Sequence, residues 1–410
     1  MPGPGMELIG EEEKKELMEV IESGYLYRYG NISDPKFKAK VWNLEREFAN
    51  KIGSKYALAV TSGTTALLTA LWSLGIGPGD EVIVPGYTFI ASITSIIFSR
   101  AIPILAEVDK TLTLDPQDVI KKITPKTKAI MLVHMLGNPG HLNEIVKIAE
   151  DNNLLLIEDC AQAMGAKFRG KSIGTFGKMG TFSLNVYKTI SAGDGGMIVT
   201  DDEDLYKRAF AIHDQGHLPL RHGVEQGKRS VLGLNFRMNE LTAAVAKAQL
   251  NKLDYIRNKL HENKTLLKSI ISTNKDIEFR HVLDKDGDVG TLLTFFMPTT
   301  ESAEKLAKKL GSTTISHSGW HVYNNMEHFL QKMTVTDEGC PFTCPYYNSE
   351  IEYKKGMLPQ TDELLNRAIN ISVGVSDAGL GSAYGIHITS TKEEIQEKGE
   401  FLLKAIEESL

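Results

Sequence analysis

Seven short apolar runs set the tightest limit on how this chain can fold: YALAV (56–60), EVIVP (81–85), PILAEV (103–108), KAIMLVH (128–134), LLLIE (154–158), GTFSL (180–184) and GGMIVT (195–200). Helix-length segments such as Thr64 to Leu74 and Leu142 to Asn152 separate them. Runs this apolar are strands buried on both faces, so the pattern predicts a mostly parallel sheet between helices, an α/β fold. A chain of 410 residues exceeds the size at which one core keeps growing. We therefore expect a large domain over residues 1–255 and a small C-terminal α+β domain over residues 256–410. Glu11 to Ser23 has helical periodicity and Gly24 stops it. From Asn239 a long helical pattern (Leu241, Val245, Ala248, Leu250, Leu253, Ile256) bridges the two domains. TLLTFFMP (291–298), ESAEKLAKKL (301–310) and the terminal segment 391–410 supply the smaller domain, while Gly311 to Gln360 has no clear period and holds a cluster of aromatics.

With 42% hydrophobic and 24% charged residues, the composition is that of a globular protein, and no segment approaches the roughly 20 apolar residues that span a bilayer. The N-terminus has a run of charge where a signal peptide would have an apolar core. Three cysteines exclude a disulfide scaffold and fit a reducing compartment. These features predict a cytoplasmic protein. A net charge of -6 with no basic stripe argues against nucleic acid as a partner.

Lys188 lies in FSLNVYKTISAGDGGMIVT (182–200), between an apolar run and a Gly-Asp-Gly-Gly turn. It could be a surface lysine of a strand connection. Held by packed strands, it could instead form a Schiff base with an aldehyde cofactor, because desolvation frees the amine from its proton. The surroundings should then form a pyridoxal phosphate pocket, and four stretches fit one. In TSGTTALLTA, Ser62 to Thr65 open a helix after a strand and offer hydroxyls and free amides to an anion; the same residues could serve only as an N-cap. Phe89 in PGYTFIAS could stack on a flat ring or belong to the core. Asp159 ends a very apolar strand, where open α/β sheets bind ligands. It could pair with a pyridinium nitrogen or cap a helix begun by Ala161 to Ala166. Ser183 could add a phosphate bond or bond only to backbone.

The order SGTT, TF, EDCAQA, serine, lysine, GDGG resembles the DegT-type sugar aminotransferase family, fold type I enzymes with a mostly parallel seven-stranded sheet. GLNFRMNELTAAVAKAQLNKLD (233–254) and LPQTDELLNRAINISV (358–373) extend the resemblance. It implies that Lys188 carries pyridoxal 5'-phosphate and shuttles the proton, that Asp159 holds the pyridine nitrogen, and that Gln162 contacts the ring from a helix shared with Asp159. It further implies that Phe89 stacks on the ring and that Thr64, Thr65 and Ser183 hold the phosphate. Asn235 would reach the phosphate of a neighbouring subunit, which implies a homodimer with shared sites. Cys160 is assigned no chemistry.

The resemblance implies transfer of an amino group from glutamate or glutamine to a keto or aldehyde sugar. GYLYRYG (24–30), LVHMLGN (132–138), DQGH (214–217) and SGWHVYNNMEHF (318–329) are similar to the branch acting on C8 of 3-deoxy-octulosonate, a surface-polysaccharide sugar acid. His217, Trp320 and His321 are the candidate substrate contacts. A nucleotide-diphosphate keto-hexose is the alternative acceptor, and a non-transaminating sugar enzyme or regulator of the same fold the alternative activity. Cys340 and Cys344 in GCPFTCP lack the spacing and partner pair of a metal site. The loop 211–230, with three histidines and an acid, reads as a polar substrate loop rather than a metal centre.

Overall fold

The computed structural model describes residues 3–219, 229–348 and 350–410. Each of the seven apolar runs overlaps a strand: β1 (Tyr56–Val60), β2 (Glu81–Pro85), β3 (Ile102–Ala106), β4 (Thr127–Val133) and β5 (Leu155–Asp159). After a small hairpin of β6 (Lys167–Phe168) and β7 (Lys171–Ser172) come β8 (Met179–Ser183) and β9 (Gly196–Thr200). The main sheet runs β1-β9-β8-β5-β4-β2-β3. Only β9 opposes its neighbours; the other pairings are parallel. The sheet is buried on both sides because alternate residues face opposite layers. Ile83, Ile130 and Leu132 join a cluster with Val41, Leu44 and Leu250, whereas Val82, Val84 and Met131 join one with Leu71, Ile93 and Ile96.

The helices Glu11–Ser23 and Glu240–Ile271 match their sequence patterns. The Asn239 side chain caps the latter by accepting from the Thr242 amide at 2.9 Å, which supplies a partner to an amide that has none within the helix. The division expected at 255/256 falls inside this helix, and Leu253 and Ile256 belong to one apolar cluster. A second sheet, β10 (Glu278–Phe279), β11 (Leu292–Phe296) and β12 (Ala368–Ser372), is antiparallel. Among the described residues, the region without a readable period, 311–360, holds short helical turns at 315–317, 323–325 and 327–330 and the start of the helix Pro359–Arg367. Backbone pairing anchors it: the Tyr323 amide donates to the Gly86 carbonyl at 3.0 Å, Thr88 to His321 at 2.9 Å and Ile90 to Trp320 at 2.8 Å. Among the described residues, no helix is long and apolar enough to cross a membrane.

Arg28, fully buried, ties the N-terminal segment to β1. Its Nη2 donates to both Glu45 oxygens at 3.1 and 3.2 Å, and Glu45 also accepts from the Ala59 amide at 2.9 Å. Arg28→Ala would strand a buried carboxylate, which typically costs about 3–5 kcal/mol. Denaturant unfolding checks this, and a loss below about 1 kcal/mol, the scale of an exposed pair, would show that the pair is not needed.

Candidate active site

The carboxyl ends of β5 and β8 open into a cavity of about 550 Å³, within the size range of small-molecule sites. Of the sequence-derived candidates, Thr64, Phe89, Asp159, Gln162, Ser183, Lys188, Trp320 and His321 line it; Thr65, His217 and Asn235 do not.

One wall is the start of the helix Gly63–Ser73. Ser62 is its N-cap and accepts from the Thr65 amide at 3.1 Å, while the Thr65 hydroxyl donates to the Ser62 carbonyl at 2.9 Å. Ser62 and Thr65 thus form the N-cap of this helix, and the Thr65 hydroxyl donates within the turn. Gly63 and Thr64 line the cavity, and their amides have no acceptor inside the helix. A Cβ at Gly63 would stand 2.8 Å from Ser183 Cβ, so only glycine lets the Ser183 hydroxyl close on this turn. The result is a cluster of donors at the positive end of a helix dipole, suited to a phosphate.

Asp159 is buried. Its Oδ2 accepts from Ser92 at 2.7 Å, Ser92 bonds Thr88 at 2.7 Å, and Oδ1 accepts from the Ala161 amide at 3.0 Å. Ala161 to Ala166 form turns, not the expected helix, with Gly165 at φ +92, a conformation incompatible with helix continuation. Gln162 thus reaches the cavity from a turn, where its Oε1 accepts from the Leu136 amide at 3.0 Å. Behind Asp159, the fully buried Glu158 accepts from His134 at 3.1 Å and from the amides of Gly174, Phe176 and Gly177, each at 2.7 Å. Burial opposes its ionisation, but these donors hold its pKa below the usual range. His134, Glu158 and Cys160 offer ligand atoms within 4.8 Å of one another, yet the Glu158 oxygens are filled by amides and His134 Nδ1 accepts from the Gly140 amide at 3.0 Å. Burial pushes the Cys160 thiol up, which leaves it inert.

Lys188 sits on the connection between β8 and β9. Its amide donates to the Asn185 carbonyl at 3.0 Å, and Gly3 donates to the Val186 carbonyl at 2.8 Å, so the N-terminal segment packs onto the lysine's own turn. Burial holds the Lys188 amine below its ordinary pKa, against the attraction of Asp159 and Asp377. Asp377 is a cavity residue that the sequence reading missed. The signal lay in its position just beyond the apolar strand end AINISV, the same placement that drew attention to Asp159. Ser382 pins the Asp377 backbone: the Asp377 amide donates to Ser382 Oγ at 3.1 Å. In cofactor-free protein, Asp377→Asn should make Lys188 lose its proton at lower pH, because a neighbouring anion favours the ammonium. The pH profile of Lys188 arylation checks this, and an unmoved or rising midpoint would contradict it.

The far wall is Trp320 and His321. Phe89 is 39% exposed, with its ring centroid 5.3 Å from that of His321 at 51°. His321 bonds Ser318 Oγ through Nδ1 at 2.9 Å and the Gly379 backbone. Burial and the Lys188 charge push its pKa down to about 3. It is thus a neutral strut between two loops. Of the three histidines in 211–230, His213 is buried and accepts from Arg28 at 2.9 Å. His217 lies 3.4 Å from Asp214, and His222 falls outside the described residues. Asn235 is exposed, its Oδ1 accepting from the Arg237 amide at 3.3 Å.

The chain is 37% identical over 306 residues to GDP-perosamine synthase of Escherichia coli O157:H7, covering 74% of this chain and 80% of that one. It is 38% identical over 256 residues to L-glutamine:2-deoxy-scyllo-inosose aminotransferase of Streptomyces kanamyceticus, covering 58% of each. Its fold matches the crystal structure of 3-amino-5-hydroxybenzoic acid synthase with a TM-score of 0.79 at 28% identity, over 98% of this chain and 97% of that one. The fold is that of the type I aminotransferases. Residues 7–376 match the sequence pattern of one family across both sheets and every wall of the cavity but the 377–380 turn, so the chain belongs to the DegT/DnrJ/EryC1/StrS aminotransferase family.

Proposed function

We propose that this protein is a cytoplasmic aminotransferase that moves an amino group from glutamate or glutamine to a keto or aldehyde sugar. Pyridoxal phosphate is the cofactor of its family. The observation that carries the reading is the meeting of Lys188, Asp159, Ser183 and the Gly63–Ser73 helix start in one cavity.

The residues present fit the cofactor. The Gly63 and Thr64 amides with the Thr64 and Ser183 hydroxyls would hold the phosphate, Asp159 the ring nitrogen, Phe89 the ring face and Gln162 the ring edge. When bound, the cofactor supplies an electron sink for the carbon that loses its proton. The Lys188 amine, whose hold on a proton burial weakens, takes that proton and returns it one atom away. Ser92 and the Ala161 amide hold Asp159 in place as an acceptor. Trp320 and His321 wall the sugar side.

For the acceptor, relatives named GDP-perosamine synthase favour a nucleotide-diphosphate keto-hexose. The segments 24–30, 132–138, 214–217 and 318–329 support the other reading, C8 of an oxidised 3-deoxy-octulosonate. The holoenzyme should show a visible band that glutamate or glutamine bleaches and the correct keto sugar restores. A band that neither donor changes would overturn the aminotransferase reading.

Asn235 lies outside its own subunit's cavity, so we read it as a phosphate contact to the partner's site in a homodimer. A Lys188→Ala subunit mixed with an Asn235→Ala subunit should then regain activity that both parents lack, because one site of the mixed dimer carries neither lesion. Subunit exchange without recovered turnover would sink the shared-site reading.

A further inference from the structure

The segment holding Cys340 and Cys344 has no part in the cavity. It covers the opposite edge of the main sheet: the Tyr347 hydroxyl donates to Glu81, the first residue of β2, at 2.8 Å. Lys126, just before β4, donates to Asn348 at 2.9 Å. Asp159 and Ser183, by contrast, end β5 and β8.

Within this segment the chain winds so that residues three and four apart meet. The Thr343 amide donates to the Gly339 carbonyl at 3.3 Å and the Cys344 amide to the Pro341 carbonyl at 3.1 Å, with Gly339 at φ +72. Arg100, an exposed residue two before β3, donates from Nη2 to Cys340 Sγ at 3.5 Å. The Tyr346 amide, Cys340 and Arg100 together draw the Cys344 thiol's pKa below its ordinary value. Two thiols and one guanidinium therefore share a single cluster. Cys344 is 4% exposed, and Cys340 is the more open of the two.

We propose that Cys340 and Cys344 are a redox-active thiol pair that hydroperoxides oxidise to an intrachain disulfide and thiols reduce again. The lowered pKa of Cys344, led by the Tyr346 amide, suits it to start the reaction, since the thiolate is the nucleophile. Its sulfur attacks the distal peroxide oxygen; the O–O bond breaks, alcohol or water leaves, and Cys344 becomes a sulfenic acid. The Cys340 sulfur then attacks the Cys344 sulfur. The S–S bond forms as the S–O bond breaks, and the departing hydroxide takes the Cys340 proton as water. Overall, two thiols and one hydroperoxide give one disulfide, one alcohol and one water; hydrogen peroxide gives two waters.

The test treats the full-length holoenzyme with hydrogen peroxide. The tryptic peptide Met333 to Lys354, which holds both cysteines, should lose two hydrogens, and dithiothreitol should restore them. In the native protein Cys340, the more open thiol, should lose its reactivity to an aromatic disulfide reagent. Cys340→Ser should stop oxidation at a Cys344 sulfenic acid that dimedone traps, and Arg100→Ala should slow disulfide formation roughly tenfold by removing the cation. Oxygen added to either cysteine without loss of the two hydrogens, or a disulfide joining two chains, would overturn the proposal. So would an unchanged rate in Arg100→Ala together with no dimedone adduct in Cys340→Ser.

Discussion

Lys188→Ala is expected to give a folded protein with no measurable turnover, a loss of about four orders of magnitude or more, because both the covalent hold on the cofactor and the proton carrier go together. The visible band of the lysine-bound cofactor should vanish, and any cofactor retained should be weakly held or in its amine form. Folding should survive, since Lys188 makes its backbone bond to Asn185 whatever its side chain. Burial of the amine is offset elsewhere by packing, so alanine removes a desolvated polar group rather than a buried contact. Circular dichroism and turnover measured on one preparation check both halves, and normal activity would show that the proton carrier is another residue.

Asp159→Asn should lower the rate by about 10² to 10³, the scale of losing one preorganised electrostatic contact, while cofactor occupancy falls far less. The asymmetry follows from the site. In the proposed site the phosphate would rest on Gly63, Thr64 and Ser183, which the substitution leaves intact, whereas an amide would not hold a proton on the ring nitrogen. Ser92 and the Ala161 amide already bond the two carboxylate oxygens, and the new NH2 group would face one of these donors. Rate and absorbance, measured together, separate the two effects. A rate within a few-fold of the parent's would count against this role for Asp159.

Much of this was legible in the sequence, for a physical reason. A strand buried on both faces must be apolar along its whole length, so β1 to β5, β8 and β9 announced themselves as runs. Long helices announced themselves by period, as Glu11–Ser23 and Glu240–Ile271 did. The lysine, the strand-end aspartate and the SGTT turn were visible because each stands where such a sheet ends and a loop begins. Tertiary structure alone decided the rest, because it rests on pairings between distant segments that no local period encodes. Ser92 reaches Asp159 across 67 residues of sequence. Trp320 and His321 line the cavity because 320–323 pairs with 86–90, not because of any pattern in their own aperiodic segment. Thr65 and Gln162 were decided by competition for hydrogen bonds: the Thr65 hydroxyl closes its own turn, and Gln162 accepts from Leu136 on a turn that Gly165 keeps from becoming a helix. Asp377 became part of the site only when β12 placed its loop opposite Lys188, a relation set by the packing of the second sheet and absent from any single stretch of sequence.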